Sequence, residues 1–511
     1  MAAQTDIREN QLDTKAEFGQ FENTETVALT EHEKRLSKKL VRKIDLLIMP
    51  AILIIYIMNW IDRNNYAAAR LQGLESDLGL VGNQYQTGLS ILFVGYILGQ
   101  IPSNLLLNYC GRPSLYLGFF TIAWGTVSAL TALVTNFGSI MACRFILGIV
   151  EAPFFPGVLF YLSRWYTKEE INFRMSIFYS GALIAGAFGN LIAAGILHGL
   201  EGHAGLASWQ WLYIIEGVVT VFFGICTCFI LPDFPQTWRA LSPELKHIAI
   251  RRLTIEAAQA DVDEEGAKAQ LRGLALAFAD IKVYIFAVAY LAITGAIGFQ
   301  NFFPTLTRTL GYSRFISLLL VAPPYIFITI WSYFHGLISD RVQNRFWFFV
   351  YPVPVSIAGF LIFMTTESFG PRYFACFLMT FVLTMNGTIY AWIASSIPRP
   401  PAKRAAAYAF INSLGNSASI WTPFTYREED KPFYRPALGI CIGLQVIAAV
   451  CAVVMRLYLQ RENKQFARME MENDGQPLGE ADLARLQKTT QAEGIAVAEA
   501  RAMEKGFRYQ L

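Results

Sequence analysis

Apolar residues along this chain are gathered in long runs that are separated by shorter polar segments. Each run is about twenty residues long, which lets a helix rising 1.5 Å per residue cross about 30 Å of hydrocarbon. Only helices fit this pattern, because hydrocarbon offers backbone groups no partner and the runs exceed the strands of a membrane barrel. The pattern predicts an all-α integral membrane protein with twelve spans, at 46–66, 87–109, 115–134, 138–162, 173–198, 209–231, 281–303, 315–336, 346–365, 372–394, 404–426 and 436–459.

The twelve runs form two groups of six, and one long charged segment separates them. Gly157 and Gly387 are 230 positions apart, and so are Arg174 and Arg404, which indicates an internal repeat. We therefore predict two pseudo-symmetric six-helix bundles, an arrangement that suits alternating access to a site between them. The predicted divisions are an N-terminal tail over 1–45, a bundle over 46–231, a linker over 232–280, a second bundle over 281–459 and a C-terminal tail over 460–511.

Composition agrees with a membrane protein. Of the 511 residues, 54% are hydrophobic and only 16% are charged, whereas about 25% are charged in soluble domains. This excludes a soluble multidomain enzyme, a disordered chain and a secreted disulfide scaffold. The net charge of +3 does not indicate a nucleic-acid partner, because the basic residues cluster in the loops between apolar runs. The seven cysteines show neither a disulfide framework nor a zinc spacing, and we expect no cofactor.

Basic residues near the span ends predict the orientation in the membrane. A dense basic stretch precedes the first span, and its members are Lys34, Arg35, Lys38, Lys39, Arg42 and Lys43. It should stay in the cytoplasm, and an even number of spans returns the C-terminus to the same side. The loop 427–435 departs from this pattern, because it places three basic residues on the predicted outer side beside three acidic ones.

Several ionisable residues lie within or near the predicted spans of the first half, and four of them are the candidates for a functional site. An ionised side chain at mid-span costs about 2.5–3.5 kcal/mol on insertion scales, so each is a functional candidate. Arg144 and Glu151 are seven residues apart, and at 100° per residue they project from almost the same face of span four. Asp62 and Arg63 lie near the end of span one and project about 100° apart, so one can face a cavity while the other contacts a neighbouring helix.

These residue types indicate a site that receives an anion and a proton. Arg63 or Arg144 can bind a carboxylate through two parallel hydrogen bonds, and Glu151 among apolar neighbours can take up and release a proton. The alternative is a static buried ion-pair network, although such networks stabilise less well than packed apolar residues. Neutral hydrogen bonds to the substrate are expected from five amide side chains in the second half, Gln300, Asn301, Asn386, Asn412 and Asn416.

Several motifs resemble those of a known family. Gly336-x-x-x-Asp340-Arg341, at the end of span eight, resembles the loop signature of the major facilitator superfamily. The run 144–157 is more specific, and with Asn-Trp-Ile-Asp-Arg-Asn-Asn at 59–65 and Trp-Leu-Tyr-Ile-Ile-Glu-Gly at 211–217 it resembles the fungal anion:cation symporters, the allantoate permease and nicotinic acid transporter-like group. The resemblance covers about residues 45–460.

The resemblance implies a fold, a mechanism and a role for each buried charge. In that family an Asp-Arg pair in span one acts with an arginine and a glutamate of span four. Carried onto this chain, Arg63 would bind the substrate carboxylate and Asp62 would pair with Arg144. Asp62 and Glu151 would carry protons. The implied fold is the major facilitator fold of two six-helix bundles.

We therefore predict a secondary transporter that takes up a small organic anion together with protons. A monocarboxylate such as nicotinate, another vitamin acid or allantoate is expected. The predicted carrier is a monomer in the plasma membrane with both termini in the cytoplasm. A proton-antiport exporter of a metabolite is the main alternative, and a nutrient sensor and a membrane enzyme are weaker ones. The sequence has no Gly-x-x-x-x-Gly-Lys-[Ser/Thr] loop, so it encodes no nucleotide-driven pump of that type.

Overall fold

The computed structural model describes residues 29–110, 112–235, 237–238, 240–259, 267–342, 344–397 and 401–472, together with Tyr509. Every regular element within these ranges is a helix. The first six spans are Glu31–Leu71, Gln84–Cys110, Pro113–Leu130, Phe137–Glu151 with Phe154–Ser163, Lys168–Gly199 and Ser208–Ile230. The last six are Ile281–Ile297 continued by Gly298–Phe302 and Phe303–Arg308, Arg314–Leu319 with Ala322–Val342, Arg345–Val350 with Pro352–Thr365, Phe369–Met379 with Thr384–Ser396, Pro401–Trp421 and Arg435–Glu472.

The all-helical membrane fold predicted from the sequence is confirmed. Among the described residues, ten helices are long and apolar enough to cross a membrane. Two further helices, span 2 with 27 residues and span 11 with 21 residues, bring the number of spans to the predicted twelve. Span 11 is less apolar because its Asn and Ser side chains alternate with small residues, so hydropathy alone does not single it out.

Span 1 begins well before the predicted residue 46. Its helix starts at Glu31, where the Thr30 hydroxyl accepts a hydrogen bond from Glu33 N and the Glu33 carboxylate accepts one from Thr30 N. This reciprocal pair satisfies backbone donors that a helix start otherwise leaves free. The predicted N-terminal tail is therefore helical from Glu31, and span 12 likewise continues past the predicted residue 459. Residues 1–28, 473–508, 510 and 511 of the two predicted tails lie outside the described residues.

Several spans are interrupted near their middle. Span 4 breaks at Ala152-Pro153, because proline lacks the N–H that an α-helix needs and its ring clashes with the preceding turn. Span 7 tightens into a 3₁₀ turn over Gly298–Phe302, just before Pro304. These interruptions lie beside residues that the sequence marks as functional. Discontinuous helices of this kind free backbone groups at the depth where carriers bind their substrates.

Close helix packing holds the first bundle together. Span 6 approaches span 3 so closely that a Cβ atom added to Gly217 would lie 2.6 Å from Gly125 O and from Ala129 N. In the same way, a Cβ atom on Gly148 of span 4 would lie 2.9 Å from Tyr96 N of span 2. Glycine lets these backbones meet where no other residue fits. Gly148 therefore helps to place span 4, which carries Arg144 and Glu151, against span 2.

The linker packs against one end of the molecule, called here the linker end. Its helix Pro243–Gln259 carries the buried Arg252, which donates to the Glu170 carboxylate at 2.7 Å and to Trp165 O at 2.9 Å. At the base of the second bundle, Lys282 lies 3.6 Å from Glu462 and donates to the Tyr509 hydroxyl at 3.2 Å. Arg252 also donates to the Ser37 hydroxyl at 3.1 Å, so the beginning of span 1 and the end of span 12 share the linker end.

The two bundles are tied together at the opposite end, called here the far end. Gln86 of span 2 donates to Tyr426 O at 3.0 Å, and Ser90 donates to Ile420 O at 2.6 Å. Between these contacts the Phe302 ring packs edge-on against Tyr85 and stacks on Tyr426 with ring centroids 4.2 Å apart. The structure is therefore closed at the far end by apolar rings and by hydrogen bonds between bundles.

We expect Gly217→Val to destabilise the folded protein, because the added methyl groups would overlap the backbone of span 3. Overpacking of this kind costs about 1–3 kcal/mol, so the thermal transition in detergent should move to lower temperature. Gly195→Val is the matched control, because a Cβ atom at Gly195 would meet nothing within 4 Å. Equal thermal shifts for the two variants would contradict the close contact between spans 3 and 6.

Candidate functional site

Arg63 and Glu151 form the central charged contact of the first bundle. The Arg63 Nε donates to Glu151 Oε2 at 2.6 Å, joining span 1 to span 4. The Glu151 side chain is completely buried, whereas 16% of the Arg63 side chain is exposed. Glu151 is the last residue before the break at Ala152-Pro153, so the carboxylate lies where span 4 changes from one helical segment to the next.

Aromatic rings surround the Arg63 guanidinium. Its central carbon lies 4.6 Å from the centroid of the Tyr96 ring and 5.9 Å from that of Trp60. A planar guanidinium is attracted to the face of an aromatic ring, and its N–H donors then point sideways and stay available for hydrogen bonds. The rings therefore help to orient Arg63 without neutralising its charge, and Glu151 supplies the neutralising charge.

Arg144 is buried on the same helix as Glu151 but has different surroundings. Its Nε donates to Gly88 O at 3.3 Å, and its guanidinium lies over the Tyr66 ring at 4.4 Å. Among the described residues, Arg144 Nη1 is buried without a hydrogen-bond partner, and so is Glu151 Oε1. Span 4 thus carries an unsatisfied cationic donor and an unsatisfied anionic acceptor within the first bundle.

The expected pairing of Asp62 with Arg144 is wrong. Asp62 is fully buried and accepts hydrogen bonds from Ser128 at 2.8 Å and from Thr220 at 3.5 Å, which belong to spans 3 and 6. Arg144 instead lies against span 2 and the Tyr66 ring. The two charges therefore occupy different helix interfaces, and hydroxyl groups satisfy Asp62 in place of a cation.

A third buried acid of the first bundle is Glu216 of span 6. It accepts a hydrogen bond from Asn65, which lies one helical turn beyond Asp62 in span 1. Asp62 and Glu216 interact electrostatically, as do Asp62 and Glu151. The buried acids of this bundle therefore influence one another, so the protonation of one affects the protonation of its neighbours.

Part of the predicted amide set lies in the second bundle within a tyrosine cluster. The Tyr390 hydroxyl donates to Asn412 Oδ1 at 3.0 Å, and Asn416 Nδ2 donates to the same oxygen at 3.2 Å. The Tyr408 hydroxyl donates to Tyr390 O at 2.9 Å, and the Tyr290 ring packs edge-on against Tyr390. Asn412 and Asn416 are thus brought together and held by aromatic neighbours.

The remaining predicted amides are spread along spans 7 and 10. Gln300 is half-buried in the 3₁₀ turn of span 7. Asn301 is half-buried in the same turn. Asn386 Oδ1 in span 10 is buried and has no hydrogen-bond partner among the described residues. These three side chains do not join the Asn412–Asn416 pair in one hydrogen-bonded group.

Tyrosines connect the charges of the first bundle with the amides of the second. The Tyr96 ring lies over the Arg63 guanidinium in the first bundle, and the Tyr390 hydroxyl donates to Asn412 in the second. Tyr179 of span 5 stacks on Tyr390 across the two bundles, with ring centroids 6.2 Å apart. We call Arg63, Glu151, Tyr96, Tyr390 and Asn412 the central site. The sequence pattern does not distinguish Tyr179, Tyr290 and Tyr390 from core residues, because tyrosines are common throughout the apolar runs.

The predicted loop signature lies at the linker end of span 8. Gly336 is half-buried, Arg341 is exposed, and the side chain of Asp340 lies outside the described residues. Close by, Arg345 donates to the Ser339 hydroxyl at 2.8 Å. The assignment of Gly336, Asp340 and Arg341 to a loop signature stays a prediction.

Comparison with known proteins places this architecture in a family. Residues 52–423 match the family described as Major Facilitator Superfamily. A relative described as MFS-type transporter cnsO, from Penicillium expansum, is 33% identical over 466 residues, which cover 87% of this chain and 88% of the relative. Major facilitator-type transporter hxnP from Emericella nidulans is 31% identical over 442 residues, covering 84% of this chain and 88% of its own length.

Solved structures share the same fold at low sequence identity. A D-xylose-proton symporter superimposes with a TM-score of 0.63 at 12% identity, covering 80% of this chain and 97% of the symporter. A bacterial homologue of the human lysosomal transporter Spinster, in an inward-facing and occupied conformation, gives a TM-score of 0.57 at 15% identity. That match covers 81% of this chain and 96% of the homologue.

The pairing of Arg63 with Glu151 predicts non-additive effects on stability. Arg63→Gln and Glu151→Gln should each lower the melting temperature, because each leaves the other charge without its partner. The double variant should lose less stability than the sum of the losses in the two single variants. The difference, expressed as a coupling free energy, should be about 1–3 kcal/mol. Thermal unfolding of the four proteins in detergent measures this.

A second cycle that combines Arg63→Gln with Glu367→Gln is the control. Glu367 is exposed in the loop between spans 9 and 10, so its substitution should add to that of Arg63 without coupling. Additive behaviour in both cycles would mean that Arg63 and Glu151 do not pair in solution.

Proposed function

This chain belongs to the major facilitator superfamily, and we propose that it is a proton-coupled symporter of a small organic monoanion. Members of this superfamily are secondary transporters, so the protein is a multi-pass membrane carrier and not an enzyme. The resemblance to the fungal anion:cation symporters supports a monocarboxylate such as nicotinate, another vitamin acid or allantoate as the substrate.

The contact between Arg63 and Glu151 is the observation that carries the proposal. Glu151 accepts from Arg63 Nε at 2.6 Å, so a carboxylate that binds Arg63 through Nε and a neighbouring Nη would compete with Glu151 for that donor. Protonation removes the negative charge of Glu151 and so weakens its hold on Arg63. The proton therefore frees the cation that binds the anion, and binding of one favours binding of the other.

Charge balance then favours reorientation of the carrier when both the proton and the anion are bound, or when neither is bound. The empty site holds one cation and one carboxylate, and the loaded site holds the same cation, the substrate carboxylate and a neutral Glu151. A site that held only the proton or only the anion would carry an uncompensated buried charge, which is costly in a low-dielectric interior. Partly loaded carriers should therefore reorient slowly, and this couples the two fluxes.

The other candidate residues have supporting roles in this proposal. Arg144 has an unsatisfied Nη1 and would supply a second cationic donor to the substrate. Asp62 interacts electrostatically with Glu151 and would carry the coupling proton in alternation with it, so the charge balance is unchanged. Gln300, Asn301, Asn386, Asn412 and Asn416 would offer neutral hydrogen bonds from the second bundle.

Alternating access would be achieved by opening the far end and closing the linker end. The basic residues before span 1 support a cytoplasmic linker end in the plasma membrane, with both termini inside the cell. The far end would then face the outside, and its closure by Gln86, Ser90, Phe302 and Tyr426 would represent the inward-directed half of the cycle. We propose that the carrier works as a monomer, since each chain holds both bundles.

We expect Glu151→Gln to abolish accumulation driven by a proton gradient while leaving substrate exchange intact. Glutamine resembles the protonated acid, so Arg63 stays free to bind the anion but no proton is released. Proteoliposomes with an imposed pH gradient, first tested with a carboxylate panel that includes nicotinate and allantoate, measure accumulation and counterflow separately.

Glu367→Gln, at an exposed position, is the control and should keep both activities. Equal loss of accumulation and exchange in Glu151→Gln would reject the proton-carrier role. Accumulation driven by the opposite proton gradient would favour the antiport exporter instead.

We also expect Arg63→Lys to raise the KM for uptake about tenfold, which corresponds to about 1.4 kcal/mol. Lysine keeps the charge but loses the planar pair of donors and the stacking on Tyr96. Removing a single amide, as in Asn412→Ala, should change KM less, because a neutral hydrogen bond contributes less than a charged one. Initial uptake rates over a range of substrate concentrations provide the comparison, and an unchanged KM in Arg63→Lys would reject its ligand role.

A further inference from the structure

A cavity lies at the far end, apart from the central site. It has a volume of about 440 Å³ and lies between the end of span 1, the ends of spans 7 and 8 that meet there, and the loop before span 12. We call it the outer vestibule, and its lining includes Arg70, Glu75, Thr305, Arg308, Arg314 and Lys431. None of these residues belongs to the central site.

The charge of the outer vestibule is strongly positive. Four of its lining side chains are cationic and only one, Glu75, is acidic. Glu75 accepts hydrogen bonds from Arg70 at 2.9 and 3.1 Å, and Glu428 just outside the lining pairs with both Arg70 and Lys431. The available acids are therefore already engaged by Arg70 and Lys431.

Arg308 and Arg314 supply the uncompensated charge. Both side chains are exposed, and within the part of the chain that the structure describes neither has an ion-pair partner. They lie on either side of the turn that joins spans 7 and 8, so one bundle presents both guanidinium groups to the same cavity. Two neighbouring guanidinium groups without acids form a receptor for carboxylate or phosphate oxygens.

A buried hydroxyl group in the lining supports a bound ligand independently of these charges. Thr305 is 95% buried, since only 5% of its surface is exposed, and its Oγ1 has no hydrogen-bond partner among the described residues. A buried hydroxyl without a partner is destabilising, because burial removes its hydrogen bonds to water and nothing replaces them. A ligand oxygen that accepts from Thr305 while it contacts Arg308 or Arg314 would satisfy this donor.

We propose that the outer vestibule is an anion-capture site that binds a soluble carboxylate through Arg308, Arg314 and Thr305 before it reaches the central site. This rests on the proposed function, because it places the site on the entry path of an organic anion. A positively charged cavity at the outer end of the entry path raises the local concentration of anions and speeds their encounter with the carrier. Arg70 takes no part in capture, because Glu75 and Glu428 already hold it.

Binding is tested directly with the full chain in nanodiscs of phosphatidylcholine, which carries no net charge. The probe is benzene-1,3,5-tricarboxylate, and calorimetric titration measures its Kd. Arg308→Gln combined with Arg314→Gln should raise the Kd at least tenfold. Arg63→Gln should leave it unchanged, because the central site is separate.

Arg427→Gln is the matched control. Arg427 is an exposed arginine in the loop before span 12, and its side chain does not line the cavity. An unchanged Kd in this variant supports a defined site. Equal weakening by Arg427→Gln and by the double variant would show general charge attraction and overturn the proposal. The anionic lipid phosphatidylglycerol is then added to the nanodiscs. If it abolishes probe binding only in the protein that keeps Arg308 and Arg314, the cavity binds a lipid headgroup, and the capture proposal is overturned.

Uptake measurements separate this proposal from the proposed function. The double variant at Arg308 and Arg314 should raise the KM for uptake with an unchanged kcat, and the difference should shrink at high ionic strength, where the Debye length falls to about 3 Å. Probe binding needs no transport, so it survives if the protein proves not to carry carboxylates. An unchanged KM at low ionic strength would overturn the role in capture even where the probe binds.

Discussion

The requirement that a charge removed from water must find an opposite charge or hydrogen bonds governs this structure. Arg63 and Glu151 meet this requirement across two helices, and Asp62 meets it with the hydroxyls of Ser128 and Thr220. Each of these contacts requires the helices to be placed precisely. The close packing around Gly148 and the break after Glu151 are therefore part of the site. A carrier built in this way can exchange one neutralising partner for another, and this is the basis of the proposed coupling.

The two bundles contribute different chemistry to the same interface. The first bundle supplies charges, while the second supplies amides and tyrosine hydroxyls such as Asn412 and Tyr390. Neutral donors and acceptors can contact a substrate without adding to the charge balance of the first bundle. At the closed far end the rings of Phe302 and Tyr426 stack, and Arg308 and Arg314 line the outer vestibule. Capture, closure and binding would therefore occupy successive levels along one path.

Much of the fold could be predicted from the sequence, but only part of the candidate site. Run lengths and charge placement predict twelve spans in two halves, and helical periodicity places Arg144 and Glu151 on one face. The pairing of Asp62 with Arg144 was wrong, because periodicity gives the direction of a side chain on its own helix but not which helix packs there. The basic loop 427–435 departed from the orientation pattern, and the structure accounts for part of this because Lys431 and Arg70 share Glu428.

The sequence by itself determined the membrane class, the helical spans, the duplicated organisation and the set of buried charges, because hydropathy and charge act locally along the chain. The tertiary structure alone decided that Arg63 pairs with Glu151, that Tyr179 meets Tyr390 across the bundles and that Arg308 and Arg314 share a cavity with Thr305. These contacts join residues of different helices, and their formation depends on how the helices pack and rotate. No local pattern records that geometry.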